Sequence, residues 1–160
     1  MTPITVTYGN YSITTDRSLL QPTAIHEWLS QESYWAKDVP YNVVKTSFDH
    51  SFVVGVLLDG AQVGYARIVT DYATFGYLAD VYVLAAHRGL GLSKQMMQLI
   101  MGLDWVKNLR RLMLASLDAQ GLYEQFGFTK PHLPERYMEI TLATVYQQQA
   151  PPDTRPQKAS

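Results

Sequence analysis

Two glycines one residue apart, Gly89 and Gly91, stand in HRGLGLSKQMM, His87 to Met97, after an arginine and ahead of a run with helical spacing. A plain strand-to-helix connection needs one permissive residue. Two suggest that something must come close to this backbone. The first turn of a helix presents unpaired N–H groups and the positive end of its dipole, so anions are drawn there. Without β-carbons a bulky one can approach. Arg88 adds a charged donor, Ser93 a hydroxyl and Lys94 a second cation. The stretch reads as a phosphate cradle, set against the plainer reading of a turn whose glycine serves packing. A Walker loop would need a GK[ST] ending at its own spacing. A dinucleotide fingerprint would need a third glycine where Lys94 stands, in a parallel βαβ setting. Neither is present.

Other residues with chemical potential carry less. His26-Glu27 resembles half of a zinc-protease helix motif, without a second histidine at the required spacing. His50, His87 and His132 form no ligand pattern, so no metal is expected. The chain has no cysteine, which excludes disulfides, thiolate metal sites and a cysteine nucleophile. Met96, Met97 and Met101 sit at helical spacing and read as core.

The elements around the glycines follow from the changing apolar period. Ile4 to Thr15 reads as an opening strand. PTAIHEWLS, after Gln21, places Ile25, Trp28 and Leu29 on one side of a helix. QESYWAKDVPYN follows, aromatic-rich and interrupted by Pro40. Three antiparallel strands are expected over Phe52–Leu58, Gln62–Val69 and Phe75–Leu84, the first two joined by the hairpin signal Asp59-Gly60. Both faces of these strands are apolar, so covering layers are expected on both sides. Leu92, Met96, Leu99, Ile100 and Leu103 then mark a helix ending near Lys107 to Arg111. RLMLAS reads as a short strand. Ala119 to Phe126 reads as a helix capped by Asp118 and stopped by Gly127, and Tyr137 to Val145 as a last strand. The fold class is a mixed α/β (α+β) domain.

The 160 residues suit one domain, placed at 1–146, with 47% apolar residues to build a core. Residues 147–160, polar and proline-rich, are expected to be a disordered tail. The net charge of −1 argues against a nucleic-acid footprint. No secretory signal, basic amphipathic helix or spanning segment is found in the sequence, so a cytoplasmic protein that binds no membrane is the expectation.

DVYVLAAHRGLGLSKQMM resembles the acetyl-CoA-binding core of the GCN5-related N-acetyltransferases (GNAT). That family's signature is Gln or Arg, two residues, Gly, one residue, then Gly or Ala. Here it reads Arg88, Gly89, Leu90, Gly91, Leu92, Ser93, with Ser in the last place, and Ala85 where the family usually has proline. AQGLYEQFGF, Ala119 to Phe128, is similar to the family's closing motif, a short helix with Leu-Tyr-Glu and then Gly-Phe. The two motifs stand in the right order, and the resemblance covers Gln21 to Leu142.

The resemblance implies a GNAT fold: a mostly antiparallel mixed sheet with helices on both faces and a cleft where Phe75–Leu84 and Leu112–Ser116 splay apart. It implies acetyl-CoA as cosubstrate. Val81, Tyr82 and Val83 would pair with its pantetheine arm, and the amides from Arg88 through Gly89, Leu90, Gly91, Leu92 and Ser93 to Lys94 would hold the pyrophosphate. The implied reaction is direct attack of a primary amine on the thioester. Tyr123 matches the family tyrosine that protonates the departing sulfur; the alternative is that it only packs beside the arm. Asp80 is the candidate to bind or deprotonate the amine. Some polyamine-acetylating members carry two acids just before the equivalent of Val81, and this chain has Ala79 and Asp80. Tyr34, Trp35 and Tyr41 would wall the acceptor site, or simply cover the sheet.

The enzyme reading stands against a non-catalytic acetyl-CoA-binding sensor or interaction module. A nucleotide-binding domain shares only the cradle. The acceptor, a small-molecule amine or a peptide or protein amine, is left open. So is the choice between monomer and homodimer, the last strand being a place where copies could pair.

Overall fold

The computed structural model of the chain describes residues 1–149. Its centre is one six-stranded sheet in the sequential order β1-β2-β3-β4-β5-β6. The strands are β1 Thr5–Tyr8, β2 Tyr11–Thr14, β3 Phe52–Leu58, β4 Ala61–Thr70, β5 Phe75–Val83 and β6 Arg111–Leu114. Every pairing is antiparallel except the last, β5 with β6, which is parallel.

A parallel neighbour requires a crossover, and α3 (Leu92–Gly102) with the single turn α4 (Asp104–Lys107) supplies it. Two more helices, α1 (Pro22–Gln31) and α2 (Tyr41–Asp49), precede β3. A short α5 (Gln120–Glu124) follows β6, and α6 is Val145–Gln149.

The helices form two layers. Under α3, α4 and α5 lie Ile13, Phe52, Val54, Val56, Ile68, Leu78 and Val83, with Met96, Met97 and Ile100 wholly buried against them. Under α1 and α2 lie Val53, Leu57, Tyr65 and Tyr82, met by Ile25, Leu29, Val44 and Phe48. Alternate residues of β3 therefore go to opposite cores, which is why that strand is apolar throughout.

Four expectations need correction. The opening strand is a hairpin, β1 and β2 turning at Gly9–Asn10, with Tyr8 opposite Tyr11. Pro40 does more than interrupt: it is the N-cap of α2, because its missing N–H would have no intrahelical partner there. Asp118 caps nothing; Ser116 Oγ accepts from the Ala119 amide instead, and α5 is shorter than expected. Residues 137–144 form no strand, and beyond them Val145–Gln149 is helical. Of the expected tail, 147–160, residues 147–149 belong to that helix, and those from 150 lie outside the described residues.

Candidate active site

The glycine cradle is built between β5 and α3. A single 3-10 turn, Ala85–His87, leaves the strand, and Gly89 (φ 78°) and Gly91 (φ 79°) both adopt the left-handed conformation that side chains disfavour. Gly91 is the N-cap of α3, so the amides of Leu92, Ser93 and Lys94 have no intrahelical acceptor. A β-carbon added at Gly89 would meet no atom within 4 Å, so the space over this backbone is open.

The loop is pinned by three side chains. The Tyr8 hydroxyl donates to the Leu90 carbonyl at 3.0 Å, and the Tyr11 hydroxyl lies 2.9 Å from His87 Nδ1. Arg88 Nε donates to the Val83 carbonyl at 3.0 Å, tying the loop to the strand end. Sequence reasoning missed Tyr8 and Tyr11, because nothing local connects a residue at 8 to one at 90.

The cleft opens beside β5. Its pairing with β6 runs from Phe75↔Arg111 to Leu78↔Leu114 and stops, while β5 continues to Val83. Tyr82 and Val83 keep their partners on β4, with Tyr65 opposite Tyr82 and Gly64 opposite Val83, and Val81 lies just before them with no partner there. On the β6 side their backbone edge is free of strand pairing among the described residues.

A β-bulge interrupts β5 just before that edge, between the pairs Arg67↔Ala79 and Tyr65↔Tyr82. In a regular strand Leu78, Asp80 and Tyr82 would share one face. Here Leu78 enters the core under α3 while Tyr82 enters the core under α1 and α2. The extra residue is accommodated by Asp80 at φ 54°, a left-handed conformation uncommon outside glycine.

The bulge aims the Asp80 carboxylate at two donors. Arg67 Nε reaches Oδ2 at 2.5 Å, and the Trp35 indole N–H donates to Oδ1 at 2.9 Å. Arg67 also reaches the Ser51 hydroxyl at 3.3 Å. The pair is largely out of water, with side-chain exposures of 18% for Arg67 and 9% for Asp80. Trp35 leans on Trp28 at 5.6 Å and takes Tyr34 edge-on at 5.0 Å, and Trp28 stacks flat on Tyr82 at 4.2 Å. Tyr41 is turned to His26, edge-on at 5.6 Å. Trp28 was readable only as the apolar face of a helix, and Arg67 only as a polar residue in a strand.

Tyr123 stands on α5 with its ring in the core under α3 and only 7% exposed. Burial pushes its phenol up to about 12, with Asp118 and Tyr34 near enough to add to the shift. The same residue lines an open groove of about 790 Å³ between β6 and residues 128–137. Among the described residues no group of three His, Cys, Asp or Glu side chains could hold a metal ion, and no helix is long and apolar enough to cross a membrane.

Three comparisons bear on this arrangement. The sequence profile of the acetyltransferase (GNAT) family matches residues 22–128. A candidate acetyltransferase of Gibberella zeae is 34% identical over 137 residues, which cover 73% of this chain and 77% of that protein. The crystal structure of a candidate acetyltransferase of the GNAT family from Xanthomonas campestris pv. campestris superposes with a TM-score of 0.84 at 45% identity, covering 88% of this chain and 99% of that one. Glucosamine-6-phosphate N-acetyltransferase from Arabidopsis thaliana superposes with a TM-score of 0.56 at 17% identity over 82% of this chain and 97% of its own, a likeness of fold alone.

Proposed function

The chain belongs to the acetyltransferase (GNAT) family, and from that premise we propose that it moves an acetyl group from acetyl-CoA to a primary amine by direct attack. The observation that carries the reading is that three features occur together, two on the path from β5 to α3 and one on the groove beside β6. They are a cradle of helix-start amides under Gly89 and Gly91, an unpaired strand edge at Val81–Val83, and a buried phenol at Tyr123.

The residues present fit the cosubstrate. The amides from Arg88 to Lys94 would hold its pyrophosphate, with Gly89 leaving room for close approach. The backbone of Val81, Tyr82 and Val83 would pair with its amide-bearing arm. Bound there, acetyl-CoA supplies a thioester carbonyl and a thiolate leaving group.

Three tasks fall to the chain. The attacking nitrogen must lose a proton, the carbonyl oxygen must be stabilised as it gains charge, and the departing sulfur must gain a proton. Free N–H groups on the open edge of β5 are the donors for the oxygen. Tyr123, kept protonated by burial, is the donor for the sulfur. Asp80 is the group for the amine. Each of its oxygens holds one donor and keeps a lone pair, so it can take a proton or hold an ammonium while Arg67 and Trp35 fix its direction. Tyr34 and Trp35, both exposed, offer π faces beside it for a cationic acceptor.

Coenzyme A release with a panel of primary amines tests the proposal. Amine-dependent release, lost in Tyr123→Phe, is expected. Binding of acetyl-CoA without release by any amine would favour the non-catalytic module instead.

A further inference from the structure

Two aromatic side chains reach solvent beside the Asp80 carboxylate. Tyr34 is 64% exposed and Trp35 42%. Their rings meet edge to face, with centroids 5.0 Å apart and planes at 82°. That arrangement makes a corner. A third flat ring laid in it can stack on one ring while its edge meets the face of the other. Large apolar side chains gathered in one exposed place mark a binding surface.

The corner is preformed. It lies in the connection between α1 and α2, which is anchored on both sides of it. The Ser33 hydroxyl donates to the Leu29 carbonyl at 2.6 Å and accepts from the Ala36 amide at 3.1 Å. The Asp38 amide donates to the Ser30 carbonyl at 3.0 Å, and Ala36 and Val39 are buried. Trp28 backs Trp35 and stacks on Tyr82, so a row of rings runs from β5 out to Tyr34. A surface held in this way loses little freedom when a ligand lies on it.

The corner adjoins both chemical groups of the site. The Trp35 indole N–H ends on Asp80 Oδ1 at 2.9 Å, which sets the carboxylate beside one ring. Tyr34, the other ring, is near enough to Tyr123 to raise its phenol. An amine held at Asp80 therefore has the corner within reach of a short linker.

Charge decides what the rings are for. Asp80 supplies one carboxylate, and Arg67 already meets its charge at 2.5 Å. That suits one ammonium and gives no hold to a second. A second ammonium on these exposed rings would gain less than a stacked ring, which also buries apolar area. The amine must in any case be neutral to attack, so a cation–π contact with the reacting nitrogen is lost at the step itself. Contact between the rings and the acceptor's body persists through it.

Resting on the reading that the chain acetylates a primary amine, we propose that its acceptor is an aromatic monoamine, a ring joined to the amine by a short carbon linker. The ring lies in the corner of Tyr34 and Trp35, and the nitrogen lies at Asp80. As the nitrogen bonds to the acetyl carbon, the carbon–sulfur bond breaks. The amine proton passes to Asp80, and the sulfur takes the phenol proton of Tyr123. Diamines and polyamines, whose second cation meets rings in place of a carboxylate, are poor acceptors.

The test measures coenzyme A release by the full chain with four amines: phenethylamine, cyclohexylethylamine (of similar size, without a π face), putrescine and a lysine peptide. Phenethylamine is expected to have the highest kcat/KM. Tyr34→Leu keeps apolar bulk and removes the ring at an exposed position, with folding checked by far-UV circular dichroism. It should raise the phenethylamine KM by roughly 3- to 10-fold, with kcat little changed, and the cyclohexylethylamine KM far less. An equal kcat/KM for cyclohexylethylamine, or an unchanged phenethylamine KM in Tyr34→Leu, overturns the corner. A preference for putrescine or the lysine peptide overturns the aromatic class and leaves acetyl transfer standing. No release with any amine overturns both.

Discussion

At the scale of single residues the proposed site rests on two side chains whose surroundings differ. Tyr123 is buried and its phenol is pushed up to about 12. It therefore stays protonated through every working pH. Tyr123→Phe should lower kcat by about 10²-fold or more, the range of general acid catalysis, with little change in acetyl-CoA affinity. The wild-type rate should show no alkaline decline from this group below about pH 11. A decline near pH 9 that disappears in the phenylalanine variant would contradict the assignment. Asp80 is held by Arg67 and Trp35. Asp80→Asn removes the charge that Arg67 faces in a site largely out of water. We expect a loss of roughly 1–3 kcal/mol in stability by denaturant unfolding and a raised acceptor KM. An acceptor KM equal to the wild-type value would remove Asp80 from the acceptor site. Tyr123 and Asp80 were singled out in the sequence through the motifs around them, and their proposed roles rest on that resemblance. Arg67 was not: it meets Asp80 only because a bulge in β5 turns the carboxylate toward it, and a bulge leaves no mark in an apolar run.

At the scale of elements the question is how the β5–α3 connection is held. Gly89 takes φ 78° in open space, so a β-carbon there costs backbone strain and not a clash. Gly89→Ala should cost on the order of 1 kcal/mol, a fall of roughly 2–4 °C in Tm for a domain of this size. Because it also crowds the cradle, it should weaken acetyl-CoA binding by more than its cost in stability. Tyr8→Phe separates the two effects. It deletes the hydroxyl bonded to the Leu90 carbonyl without placing a β-carbon in the loop. Its effect should appear as weaker acetyl-CoA binding in calorimetry; binding indistinguishable from wild type would show that the loop holds its shape unaided. The three central strands and α3 were readable because their apolar periods are long and regular. The hairpin β1–β2 was not, since its turn at Gly9–Asn10 lies inside a continuous β-forming run. Helix α2 was hidden by Pro40, which is a breaker inside a helix and a permitted residue at its start. The last strand failed for a different reason. Its alternation of Met138, Ile140 and Leu142 is real, but residues 137–144 pair with no strand among the described residues.

At the scale of the whole molecule the sheet divides labour between its faces. The α3 face anchors the cradle and Tyr123; the α1–α2 face carries Asp80, Trp35 and the aromatic stack on Tyr82. The splay of β5 from β6 is where the two faces communicate, and it follows from a parallel pairing that ends after four residues. Tyr65, Tyr82 and Tyr123 are all buried with phenols pushed upward, so all three are neutral in the fold at pH values where unfolded tyrosines ionise. A raised folded value keeps stability whole below pH 10 and drains it above. Tyr123 alone should cost roughly 2 kcal/mol by pH 12. Unfolding midpoints measured from pH 8 to 12 should therefore fall beyond pH 10, and a flat profile to pH 12 would mean these phenols are not buried as described.

The central claim is that Gly89 and Gly91 hold the pyrophosphate of acetyl-CoA at the start of α3. Thermal unfolding with acetyl-CoA, and with ATP and NAD as controls, tests it most directly. A ligand at 100 times its Kd stabilises by about 2.7 kcal/mol, which should raise Tm by roughly 5–10 °C. The account predicts that shift with acetyl-CoA and none of comparable size with the controls. No shift at millimolar acetyl-CoA would contradict it, and the roles given to Val81–Val83, Asp80 and Tyr123 would fall with it.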